Sequence, residues 1–167
     1  MGHRRIAYLG FKYSLPIAVR IIGYGSAFAS LGLPYDHRWI RDMLETGESM
    51  TVVARRAMEN WFNDDWHELG CTAVVAQNDK VAIGAMQALH AAGLRVPQDV
   101  SVVGFDDIGE CEVCTPRLTT IAVPLEEIGE RAIELLAAQI RGDSLEIRPT
   151  VLPTRLVVRE STAPPPN

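Results

Sequence analysis

The chain has 167 residues, enough for one domain with a sizeable core, and its 47% hydrophobic and 22% charged residues are ordinary for a globular protein. A formal net charge of −5 excludes the electrostatic footprint of a nucleic-acid-binding surface. No apolar run reaches the length of a membrane span, so no membrane partner is expected.

In chain order, the sequence opens with a small basic cluster, His3-Arg4-Arg5, which with Arg55-Arg56 reads as solvated surface. Residues 5–10 form a compact apolar run ending at glycine, the pattern of a buried strand. Helical spacing follows over residues 17–31 and again over 51–66. Residues 71–76 are apolar and β-branched, a strand buried on both faces. From Asp79 onward, Ala82, Ala85, Met86, Leu89 and Ala92 recur at three- and four-residue steps, one apolar helix face that stops at Gly93. Residues 100–105 are another buried strand, closed by Asp106-Asp107, and 119–123 a further one. Pro124 opens a helix with Glu126 and Glu127 in its first turn, where they complement the helix dipole, and Arg141-Gly142 closes it. Residues 152–160 read as a terminal strand and 161–167, with three consecutive prolines, as a frayed tail. Strands alternating with helices imply an α/β fold, a mostly parallel sheet flanked by helices.

Three cysteines, Cys71, Cys111 and Cys114, are an odd count that suits a reducing compartment, and no signal peptide opens the chain; a cytoplasmic location is the expectation. Cys111 and Cys114 have the spacing of half a zinc site, but His3, His37, His67 and His90 are scattered and supply no second half. No metal and no cofactor are expected.

Ligands of open parallel sheets bind beyond the carboxyl ends of the strands. Polar residues stand at three such ends: Ser14 and Arg20 after the first strand, Asn78-Asp79 after the strand ending at Gln77, and Asp106-Asp107 after the strand ending at Phe105. An amide, a carboxylate and a guanidinium on one edge suit a neutral polyhydroxylated ligand. Each also has a plainer role: Asn78 as the N-cap of the following helix, Asp106 as a turn residue, Arg20 as a solvated helix residue. Adjacent carboxylates such as Asp106 and Asp107 point apart, and no nucleophile context or glycine-rich phosphate loop is present, so an enzyme is not expected. Trp39, Trp61 and Trp66 read as packing rather than as a platform for a sugar ring.

Several segments resemble one known family. Residues 2–8 look like the strand opening the C-terminal subdomain of lactose-repressor/galactose-repressor (LacI/GalR) regulators. Arg20-Ile21-Ile22-Gly23-Tyr24 is similar to their R-x-x-G-[YF] helix, and the segment from Thr72 through Asn78-Asp79 to Gly84-Ala85 to their T-A-x-x-x-x-N-D-x-x-A-x-G-A motif. Leu94-Arg95-Val96-Pro97 through Gly104-Phe105-Asp106-Asp107 is close to a signature of the family. Leu118-Thr119-Thr120 and the ending Leu156 to Thr162 complete the order.

The resemblance implies one subdomain of a type I periplasmic-binding-protein-like fold: residues 1–123 and 150–162 as the C-terminal subdomain, 124–149 as a crossover helix of the N-terminal one, and 163–167 as a tail. It implies the effector-sensing part of a transcriptional regulator, with a periplasmic-type sugar-binding protein of the same fold as the alternative, and a small-molecule effector, a sugar or a derivative, at Arg20, Asn78 and Asp106, with Ser14 as a looser candidate. It implies a homodimer through Ile83, Gln87, Val113 and Cys114, and operator DNA contacted only through a headpiece that has no counterpart in these residues. A glutamine usual in the family after Leu-Thr-Thr is replaced by Val123, so the effector contacts should differ there. Leu125, Ile128, Ala132, Leu135 and Leu136 form an apolar stripe. That stripe should dock on a neighbouring copy or fold back onto the chain's own sheet.

Overall fold

The computed structural model describes residues 1–11, 15–44, 47–142 and 149–166, with the backbone alone for 15–17. A six-stranded sheet runs in the order β2-β1-β3-β4-β5-β6. Its strands are β1 (Ile6–Gly10), β2 (Ile40–Asp42), β3 (Ala73–Ala76), β4 (Ser101–Asp106), β5 (Thr119–Ala122) and β6 (Arg155–Val157). The first five are parallel and β6 is antiparallel to β5. The helices are α1 (Leu15–Ser30), α2 (Met50–Asn63), α3 (Trp66–Leu69), α4 (Asp79–Ala91), α5 (Glu110–Val113) and α6 (Leu125–Ile140).

The central strands are apolar on both faces because helices cover both: Ala7, Leu9, Val74, Ala76 and Val102 are all buried. On α4, Ala82, Met86 and Leu89 are buried as their spacing predicts, and Gly84 lets the α2 backbone at Thr51 approach closely. Asn78 caps α4, its side-chain oxygen accepting the Val81 N–H at 3.0 Å, and Gly93 ends the turn with a φ of 78°. Trp39, Trp61 and Trp66 are core residues; Trp61 and Trp66 meet edge to face at 5.2 Å.

Two expectations are corrected. Residues 161–163 do not fray. The Ser161 hydroxyl is wholly buried, donates to the Val102 carbonyl at 2.6 Å and accepts the Thr119 N–H at 2.8 Å. The Ala163 N–H donates to the Ser101 hydroxyl at 3.0 Å. These contacts satisfy groups that the ends of β4 and β5 would otherwise bury unpaired. Nor is His3 merely solvated, since its ring bonds the Thr72 hydroxyl and the Ala163 carbonyl, each at 2.8 Å.

Helix α6 buries none of its residues, and its apolar side chains stay open, from 38% exposed at Leu135 to 78% at Ile140. It does not fold back onto the sheet. The short linker at Val123-Pro124 carries it past the strand ends, away from the apolar faces that α1 to α5 occupy.

Candidate effector site

The strand order reverses between β1 and β3, so the connections leaving their carboxyl ends go to opposite faces of the sheet, the place where ligands of open α/β sheets bind. α1 leaves β1 and presents Arg20 to this edge, while Tyr24, one turn on, donates its hydroxyl to the Ile6 carbonyl and fixes the helix against the strand. The arginine-to-tyrosine spacing therefore places both side chains on one face of α1, with Tyr24 anchoring the helix and Arg20 reaching the strand ends.

Arg20 joins the other two strand ends. Its Nη1 donates to the backbone carbonyl of Gln77, the residue before Asn78, and its guanidinium lies 3.7 Å from the ring centroid of Phe105, the residue before Asp106. Arg20, Asn78 and Asp106 are thus gathered on one edge of the sheet. Ser14 lies outside the described residues. Asn78 is committed in part: its oxygen caps α4, and its amide nitrogen faces the Met50 thioether at 3.1 Å, a weak acceptor that a ligand hydroxyl could replace.

Asp106 ends β4 with a φ of 116° and Asp107 follows at 63°, so the chain turns through a region that L residues rarely enter. Burial holds the Asp106 carboxyl above its ordinary range; the Arg20 charge opposes that rise and the Asp79 charge adds to it. Asp107 turns away from its neighbour, as adjacent residues do, and pairs with Arg159 at 2.8 Å. An open cleft of about 690 Å³ lies beside the pair, with Val123 and Glu126 in its wall. Val123 is half-buried and gives this wall an apolar surface.

Sequence reasoning missed Gln77, Phe105 and Arg159, and named Asp79 as a polar residue at a strand end without its bracing role. Buried Gln77 accepts the Phe11 N–H at 2.7 Å, Phe105 stacks on Arg20, and Asp79 and Arg159 brace the Asp106 corner. A glutamine at the end of an otherwise apolar strand was the one available signal.

Among the described residues no three of His, Cys, Asp and Glu converge as metal ligands. Burial pushes the Cys71 thiol up to about 12, and burial followed by the influence of the Asp79 carboxylate raises Cys111 as well. Cys114 is also raised by burial. Neutral thiols of this kind are poor nucleophiles and poor ligands.

On the proposed pairing surface, Gln87 and Val113 are exposed, whereas Ile83 and Cys114 are half-buried and pack against the core.

Residues 1–162 match the family model of the periplasmic binding protein-like domain. The chain is 34% identical to the HTH-type transcriptional regulator CelR of Thermobifida fusca, over 96% of this chain and 45% of that protein. It is 39% identical to the ribose operon repressor of Escherichia coli K12, over 87% of this chain and 42% of the repressor. It also superposes on the crystal structure of a LacI family transcriptional regulator from Enterococcus faecium with bound ribose. That match has a TM-score of 0.83 at 30% identity, covering 98% of this chain and 58% of that one. The chain therefore spans about half the length of the curated relatives it matches.

Proposed function

This chain belongs to the periplasmic binding protein-like domain family, in the form found in LacI/GalR regulators, and on that premise we propose that it is the effector-sensing half of a transcriptional regulator, with a sugar or a similar polyhydroxylated molecule as its effector. The observation that carries the reading is the convergence of Arg20, Asn78 and Asp106 on the carboxyl edge of the sheet, joined by the contacts of Arg20 to Gln77 and Phe105. Ser14 is assigned to the same edge by its place after β1.

In this reading Asp106 accepts hydrogen bonds from two ligand hydroxyls, Arg20 donates as a fork, and the Asn78 amide donates once it leaves Met50. None of these groups needs to activate a nucleophile, so the reading is binding without turnover. The parent protein would work in the cytoplasm and contact operator DNA through a segment outside these residues. The acidity of the chain, with a formal charge of −5, supports that division. Effector binding would then shift the population between two arrangements of its subdomains.

We assign residues 124–149 to the second subdomain. The support is the absence of any buried residue on α6, together with its apolar side chains from Leu125 to Ile140. A site shared between two subdomains has only one of its walls here. Calorimetric titration of this chain with ribose and other neutral sugars should therefore give weak, millimolar binding, since each hydrogen bond that the second wall would supply is worth about 1 kcal/mol or more. Failure of the chain to bind any sugar of a broad panel would remove the reading. Tight binding would show that the site is complete without a second wall.

The homodimer is assigned to the faces carrying Ile83, Gln87, Val113 and Cys114. Val113 is 80% exposed at the tip of α5, so it is open to a partner copy. In analytical ultracentrifugation the chain should associate at high concentration, and Val113→Asp combined with Gln87→Glu should return it to monomer. A chain that is monomeric throughout, with the double variant sedimenting identically, would exclude this surface.

A further inference from the structure

The corner that carries Asp106 is braced by two residues that do not line the cleft. Asp79, in the first turn of α4, is fully buried. Its Oδ2 accepts the N–H of Ile108, the first amide beyond the corner, at 3.0 Å. Its Oδ1 accepts the hydroxyl of Thr120 on β5. A donor from the corner and a donor from β5 therefore meet on one carboxylate, one at each oxygen. A buried carboxylate is costly unless its lone pairs are met, and here they are.

The opposing strand makes room for it. A Cβ at Gly104 would overlap the Asp79 carboxylate oxygen, so Gly104 and Asp79 are matched in space. From the outer side, Arg159 pairs with Asp107 at 2.8 Å and donates to the Leu118 carbonyl at 3.0 Å. Its side chain is only 11% exposed, so the pair is shielded from water in a way that surface ion pairs are not. Between these two anchors the backbone holds φ values of 116° and 63° at Asp106 and Asp107. Residues in such conformations persist only where their surroundings over-determine them.

We propose that Asp79 and Arg159 are positioning residues for the effector carboxylate: they clamp the Asp106-Asp107 corner from its inner and outer sides, and so set the affinity of the edge carrying Arg20, Asn78 and Asp106 for a polyhydroxylated ligand without touching it. The proposal rests on the sensing reading above. Relaxation of the corner toward ordinary φ values would swing the Asp106 side chain away from Arg20 and Asn78, which keep their places on separate elements. The clamp also accounts for an aspartate after Asn78. Asparagine at position 79 could still accept from Ile108 and donate to the Thr120 oxygen, whereas alanine could do neither.

The test is amide hydrogen exchange of the whole chain, paired with titration by ribose, for the wild type and for Asp79→Ala, Asp79→Asn and Arg159→Met. In Asp79→Ala the Ile108 amide should exchange about tenfold faster or more, while Val74 and Val102 in the neighbouring strands keep their protection; ribose affinity should fall by about the same factor. Asp79→Asn should restore most of both. Arg159→Met should loosen the corner from the outer side and lower affinity in the same direction, and it carries the comparison if Asp79→Ala does not fold. Equal loss of protection at Ile108, Val74 and Val102 would mean a general fold role and overturn the proposal. So would unchanged ribose affinity in a variant whose Ile108 amide is deprotected. If the wild type binds no ribose, the sensing reading is what fails for that sugar, and the exchange data alone decide whether the corner is clamped.

Discussion

Asp106→Gly is expected to abolish saturable sugar binding and, at neutral pH, to make the unliganded chain more stable than the wild type. Two features of Asp106 work against the fold. The first is backbone geometry: at a φ of 116° an L residue carries strain on the order of 1–3 kcal/mol, whereas glycine carries none. Glycine's greater freedom in the unfolded chain offsets roughly 0.5–1 kcal/mol of that relief.

The second feature is the carboxylate. Burial raises its pKa, the Arg20 charge lowers it and the Asp79 charge raises it, with a net rise above the ordinary aspartate value. Where the folded-state pKa lies above the unfolded one, the folded chain binds more protons in that window. Stability is then full below the unfolded value and falls as pH rises through the folded one. Glycine removes this loss, so its advantage should be largest at neutral pH and shrink toward acid. Urea unfolding of both proteins at neutral pH and near pH 3 measures the difference. A variant less stable than the wild type at neutral pH would show that Asp106 is a structural turn residue and that its strain serves no site.

Trp61→Ala should cost about 3–5 kcal/mol, a large share of the roughly 5–15 kcal/mol that holds a domain of this size together. Trp61 is 1% exposed, meets Trp66 at 5.2 Å, and lies under the Arg41 guanidinium at 5.6 Å. It sits in α2 against the core and is not among the residues that Arg20, Asn78 or Asp106 touch. Its loss should lower the urea midpoint and leave ribose affinity, measured under folding conditions, close to the wild-type value. A stable variant that no longer bound sugar would reverse the assignment and make Trp61 part of the site.

The order of elements was legible wherever one face or both faces of an element are buried by this chain alone. β1, β3, β4 and β5 are short apolar runs bounded by glycine or polar turns, and the inward face of α4 was marked by Ala82, Met86 and Leu89. β2 was not legible: three residues, Ile40–Asp42, at the sheet edge are too few to show a period. The break between α2 and α3 at Asp64 and Asp65 was hidden because both helices feed the same core through Trp61 and Trp66.

At the site, Arg20, Asn78 and Asp106 could be named because each follows a strand end. Their bracing contacts could not. Asp79 meets Ile108 across 29 residues of chain and Arg159 meets Asp107 across 52, and neither pairing leaves a local pattern. The positive φ values at Asp106 and Asp107 belong to tertiary packing, since aspartate is also an ordinary turn residue. α6 shows the reverse situation. Its apolar stripe was plain in the sequence, yet the surface it fits is not among those this chain presents to it.

The central claim, that the carboxyl edge of this sheet binds a polyhydroxylated effector, is tested most directly by following backbone amides and the Arg20 guanidinium by nuclear magnetic resonance. The titrants are neutral mono- and disaccharides, ribose among them, taken to millimolar concentrations. At least one sugar should give saturable shifts concentrated at Arg20, Asn78 and Asp106 to Ile108, and Asp106→Gly should abolish them. Saturable shifts centred elsewhere, or no shift at these residues with any sugar of the panel, would contradict the claim.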